Sequence, residues 1–139
     1  MSIQQTLTTS FKLGMVQAEQ DLATDTLKIA LYTAFSDIGP NTTVYTTDNE
    51  VVGTGYTAGG KVLTGVTIAA STDGVIYINF SNVVWNPASF TCRGALIYNV
   101  TQANKSVAVL DFGSDKTSTN TFTITMPSNT ATTALLRFT

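Results

Sequence analysis

The chain of 139 residues has no histidine, one cysteine, one tryptophan, three prolines and only 12% charged residues. Each shortage removes a class of function. Without histidine the chain lacks the side chain that most often titrates near neutral pH, and with it the usual general base or metal ligand. A serine or cysteine nucleophile would have no imidazole to activate it. A zinc site of the Cys/His type has too few ligands to form. A single thiol, Cys92, forms no intrachain disulfide, so the fold does not depend on an oxidising compartment. Cys92 reads as a buried, inert thiol. The seven basic residues, Lys12, Lys28, Lys61, Arg93, Lys105, Lys116 and Arg137, are never adjacent. They make no stripe to engage phosphates, which argues against nucleic acid as a partner. No stretch approaches the roughly 20 apolar residues of a membrane span. The start, MSIQQTLTTSFK, lacks the basic region and apolar run of a secretory signal.

What is present points to structure rather than chemistry. Threonine is about one residue in five, and 43% of residues are hydrophobic. A β-branched, weakly charged chain suits a half-buried pleated sheet. The length fits one domain with a real core, and the net charge is only −2. No enzyme and no cofactor is expected on these grounds.

One helix is expected near the start, capped by Thr8, Thr9 or Ser10 and running to Ala23-Thr24-Asp25. Phe11, Met15 and Leu22 would share its buried side. Residues 1–10, uncharged and rich in Thr and Gln, read as a flexible arm before a single domain over 11–139. From Thr26 the hydrophobic period changes to two. Leu27, Ile29 and Leu31 alternate with Lys28, Ala30 and Tyr32; Ile76, Ile78 and Phe80 and then Phe122, Ile124 and Met126 repeat the pattern. Ala95–Tyr98 and Val107–Leu110 are apolar on both faces and read as central strands. Strands are expected near 26–34, 74–82, 91–99, 105–112, 120–126 and 133–138. Turn signals such as Ser71-Thr72-Asp73-Gly74 and Asn86-Pro87 separate about eight short strands. The fold class is therefore all-β: an antiparallel sandwich, jelly-roll or immunoglobulin-like, with one short N-terminal helix. Trp85, ending an apolar run, reads as core.

A hairpin centred on Gln102 would place Arg93 opposite Asp111 as a structural ion pair. The segment 42–65, TTVYTTDNEVVGTGYTAGGKVLTG, stands apart. It is too long for a simple connection and is rich in Gly and Tyr. Its Tyr45, Asp48, Glu50, Tyr56 and Lys61, together with the residues before Phe11, are the candidate interface to a partner or a sister subunit. Asp48 and Glu50 at i, i+2 are too common a pair to specify a cation, which wants six or more oxygens.

Several runs carry a resemblance: Thr24–Thr33 (TDTLKIALYT), Val44-Tyr45-Thr46-Thr47, Glu50-Val51, Gly53–Gly60 (GTGYTAGG) and Arg93–Tyr98 (RGALIY). Together they resemble a group of small structural proteins of tailed bacteriophages and prophages, from about Phe11 to the C-terminus. The resemblance implies a non-enzymatic virion component made in the bacterial host cytoplasm. It implies a capsid decoration (cement) protein on the major capsid protein shell, or alternatively a tail- or fibre-associated protein meeting the host surface or a glycan. Partners would be the major capsid protein or other virion proteins, and a homo-oligomer such as a trimer fits such a role. A compact domain without heptads or fibrous repeats favours decoration over a fibre.

Overall fold

The computed structural model describes residues 2–138. Ten strands and one helix follow in the order β1 (Thr6–Leu7), α1 (Thr9–Val16), β2 (Leu27–Tyr32), β3 (Lys61–Val62), β4 (Thr67–Ala70), β5 (Ile76–Asn79), β6 (Val83–Trp85), β7 (Phe90–Asn99), β8 (Lys105–Ser118), β9 (Phe122–Ile124) and β10 (Leu136–Phe138). The fold is mostly β and every strand pairing is antiparallel. The period-two segments became β2, β5 and β9, each shorter than expected; the runs apolar on both faces became β7, close to its expected bounds, and β8, which runs on to Ser118. The short strands β1, β3, β4 and β6 fall outside the expected ranges.

The strands do not close into one sheet pair of eight. They divide into a five-stranded sheet β1-β8-β7-β2-β3, a three-stranded sheet β10-β5-β4 and a two-stranded sheet β6-β9. The main core draws on all three: Leu27, Ile29 and Leu31 from β2, Ala95 and Ile97 from β7, Ile78 and Leu136 from the second sheet, Val83, Trp85 and Ile124 from the third. Trp85 is fully enclosed there, edge-on to Phe90.

A second, smaller cluster lies on the opposite face of the five-stranded sheet. Ala30 and Tyr32, Leu96 and Tyr98, and Val109 meet Ile3 and Ile38 there. This explains why the central strands are apolar on both faces: both faces are covered. Part of the cover is the N-terminal segment, and the expected flexible arm is therefore corrected. Ile3 is buried, the Gln4 N–H donates to the Ile38 carbonyl at 3.0 Å, and Thr6 and Leu7 pair with Val109 and Ala108. Met1 lies outside the described residues. An uncharged segment with Ile3 and Leu7 loses little on leaving water and gains a sheet edge. Gly94 admits it, because a Cβ there would stand 2.7 Å from Ile3 Cδ1 and 2.5 Å from the Leu110 carbonyl.

The helix is also shorter than its hydrophobic pattern suggests. Thr8 caps it, its hydroxyl accepting from the Phe11 N–H at 3.2 Å. It ends at Val16, and Ala18 turns left-handed at φ +57°. Phe11 is buried and stacks on Phe138 at 5.9 Å. Leu22 is buried as well, but from the turns that follow rather than from the helix. No helix among the described residues is long and apolar enough to cross a membrane.

Candidate interaction surface

The segment from Thr42 to Gly60 has almost no regular structure, yet it is tied down along its length. Isolated bridges join Val44 to Lys105, Glu50 to Tyr32 and Thr54 to Ser89. The outer edge of β2 is shared between two pieces of it. Lys61 and Val62 pair with Ile29 and Lys28, and the Val51 N–H donates to the Leu31 carbonyl at 2.9 Å. Between them the chain passes over the core. Gly60 makes the return possible: it sits at φ +78°, where a Cβ would fall 1.8 Å from the Ile29 carbonyl oxygen.

The fastening is centred on Glu50, whose side chain is only 7% exposed although it carries a carboxylate. Tyr45 donates to its Oε1 at 2.6 Å. The Tyr56 hydroxyl and the Gly59 N–H, at 2.8 Å, both donate to its Oε2. The Tyr56 oxygen in turn accepts from the Leu31 N–H at 2.9 Å. Tyr98 donates to the Gly59 carbonyl at 2.6 Å and stacks on Tyr45 with ring centroids 4.7 Å apart. Tyr32 donates to the Thr46 carbonyl. A buried carboxylate is tolerated when its lone pairs are all engaged, and here three donors from one loop converge on it. The phenols feel the same environment. Burial, reinforced by the Glu50 charge, raises Tyr32 well above the ordinary tyrosine range. Burial and the hydrogen bonds to Glu50 do the same for Tyr45 and Tyr56. Burial and the Glu50 charge push Tyr98 up to about 12.

Of the five residues expected to face a partner, the structure thus brings Tyr45, Glu50 and Tyr56 together as internal anchors. Asp48 and Lys61 remain exposed. Lys61 Nζ donates to the Val84 carbonyl at 2.7 Å and lies 5.9 Å over the Trp85 ring. Asp48 and Glu50 form no cation site: one points to solvent, and both oxygens of the other already accept protein donors. Among the described residues no group of three or more His, Cys, Asp or Glu side chains gathers to hold a metal.

The anchored loop, through Val52, and the turn after β2, through Phe35, present apolar side chains outward. Phe35 is 73% exposed and Val52 95% exposed. They flank the same junction: the Thr33 N–H donates to the Asn49 carbonyl at 2.9 Å, and Asn49 Nδ2 donates to the Phe35 carbonyl at 3.3 Å. Sequence reasoning passed over both. Tyr32 and Tyr98, which the sequence offers among the aromatics able to meet a glycan or a protein, are instead buried; a phenol in a strand apolar on both faces signals a covering layer with acceptors.

Arg93 and Asp111 do approach, but not as directly opposed residues. The register centred on Gln102 holds from Asn99 with Lys105 to Tyr98 with Ser106, then slips by one, so that Gly94 faces Asp111. Arg93 falls at a second irregularity, between Cys92 and Gly94. Its Nε lies 3.8 Å from Asp111 and its Nη1 3.9 Å from Asp115, with about a third of the Arg93 and Asp111 side chains exposed. Cys92 next to it is fully buried, and burial pushes its thiol up to about 12. Comparison with protein-family models, curated proteins and solved structures finds no match for this chain.

Proposed function

We propose that this chain is a non-enzymatic virion structural protein of a tailed bacteriophage or prophage. Its role in this reading is capsid decoration, through binding to the major capsid protein shell. The observation that carries the reading is the pairing of a pinned scaffold with an apolar tip. Glu50 and four tyrosines fix a loop with almost no regular structure; the exposed Val52 stands on it, and the exposed Phe35 stands on the neighbouring turn tied to it through Asn49. Preordering a loop lowers the entropic cost of docking, and exposed apolar side chains on an ordered surface are what a protein partner needs as anchors. Glu50, the one buried carboxylate among the described residues, holds this loop. The resemblance of the strand and turn runs to phage structural proteins points the same way. In this reading the five-stranded sheet and the two smaller sheets act as the layers of a sandwich around the main core, a rigid body suited to many copies on a shell.

The test is to image intact particles of the encoding phage or prophage by cryo-microscopy and to measure occupancy for Phe35→Asp and Val52→Asp. Both positions are exposed, so the variants are expected to fold, which a thermal melt checks. Density repeated over the shell, with occupancy lost in the variants, supports decoration. A few copies at the tail would favour the tail- or fibre-associated role, and absence from particles would end the proposal.

A further inference from the structure

Free strand edges display unpaired backbone groups, and natural chains blunt them with charge, proline, broken register or brevity. Nearly every free edge here is blunted. The five-stranded sheet ends in β1 and β3, of two residues each. Beyond its pairing with β1, β8 carries Asp111, Asp115 and Lys116, and its register against β7 is interrupted. β10 has three residues, one of them Arg137, and β6 and β9 have three each.

β4 is different. It ends the three-stranded sheet, and its four residues run in unbroken register with β5. From residue 62 to residue 72 the sequence, VLTGVTIAAST, has neither a charge nor a proline. The Ser71 N–H donates to the Val75 carbonyl at 2.8 Å, so by alternation Thr67 and Ala69 turn their backbone groups toward β5. Ile68 and Ala70 turn theirs outward. The Ile68 side chain, 46% exposed, lines an apolar groove with Ile76, Ile78, Met15 and Phe138.

We infer that the β4 edge pairs antiparallel with the β4 edge of a second copy of this chain, giving a six-stranded sheet continuous across a two-fold axis. Charge selects this occupant. Within the hairpin the one charge is Asp73, at the tip between β4 and β5; Asp21 stands on the wall of the groove that Ile68 lines, off the strand edge itself. Setting Ile68 against Ala70 of the second copy sends the two tips to opposite ends, so each Asp73 lies beside the uncharged Gly65 of the other copy. Large then faces small at both pairs, and the two Asp73 side chains stay apart. An edge without charge gains nothing from a charged partner strand but is complementary to itself, and the contact closes as a dimer. The inference rests on the edge and not on the virion reading.

Sedimentation of the full chain from micromolar to near-millimolar concentration tests it, together with amide exchange at Ile68 and Ala70. A dimer is expected, with both amides becoming protected as concentration rises. Ala70→Pro removes an outward N–H and leaves the bonds to β5 intact. It should weaken the dimer about tenfold or more, because symmetry removes the bond twice. Ile68→Lys should do the same by charge. Should either variant fold poorly, the wild-type exchange result still decides. A chain that stays monomeric with freely exchanging Ile68 and Ala70 amides overturns the inference, as does a dimer indifferent to Ala70→Pro or a trimer.

Discussion

Glu50 and Asp111 are both carboxylates with named partners, and they teach opposite lessons. Glu50 lies in the interior with three donors from its own loop. Asp111 lies at the rim of the five-stranded sheet, 3.8 Å from a guanidinium that is itself partly in water. Formal charge is the same, but solvent decides what each contributes. Water screens the outer pair to little, whereas the inner group cannot leave without stranding its donors.

The comparison breaks first at Glu50. Glu50→Ala would leave the Tyr45 and Tyr56 hydroxyls and the Gly59 N–H without acceptors, and should cost about 3–5 kcal/mol in denaturant unfolding. A loss below that of an ordinary surface substitution would show that water replaces the carboxylate without penalty. Gly60→Ala attacks the same loop through its backbone and should cost more than about 2 kcal/mol, from positive φ and collision with Ile29. A variant as stable as the parent would show that the crossing can relax.

Alkali sharpens the contrast. The folded tyrosines hold their protons more tightly than unfolded ones, whose ordinary value is 10.0. Above that pH the unfolded chain releases protons that the folded chain retains, so stability is full below pH 10 and falls as the pH rises beyond it. Tyr56→Phe should both lower stability at neutral pH by about 1 kcal/mol and make the alkaline decline shallower. A pH series of thermal melts reads both, and an unchanged decline would assign the alkaline sensitivity elsewhere. The smallest effect belongs to the outer pair: Asp111→Ala should cost less than about 1 kcal/mol and little more than Asp73→Ala. A loss of several kcal/mol would mean that the Arg93 contact is tighter and drier than the 3.8 Å separation indicates.

The two sites also differ in how far the sequence discloses them. Arg93 and Asp111 are found by counting residues from the turn at Gln102, and the count misses by one because β-bulges leave no mark in composition. The central strands β2, β7 and β8 are legible because they are long and apolar. The Glu50 cluster is not: a single Glu among Thr and Gly has no period, and its partners at 45, 56 and 59 meet it only through a backbone path that nothing local dictates. Likewise β1 has two residues, too few to show alternation, and its partner is remote. The helix ran past its true end on paper because Leu22 keeps the expected spacing while being buried by a turn.

That remote partner has a kinetic meaning. Thr8 donates its N–H to the Val107 carbonyl, 99 residues along the chain. During synthesis the segment 3–8 must wait until β8 has left the ribosome before it can dock, and until then Ile3 and Leu7 stay in water while the sheet edge beside Val109 stays bare. Contacts of such sequence separation slow folding and lengthen the time in which edges can pair wrongly. Refolding of this chain is therefore set by such long-range docking of its first residues rather than by its short helix, and a fusion that tethers the N-terminus should slow folding far more than one placed at the exposed Asp73 turn.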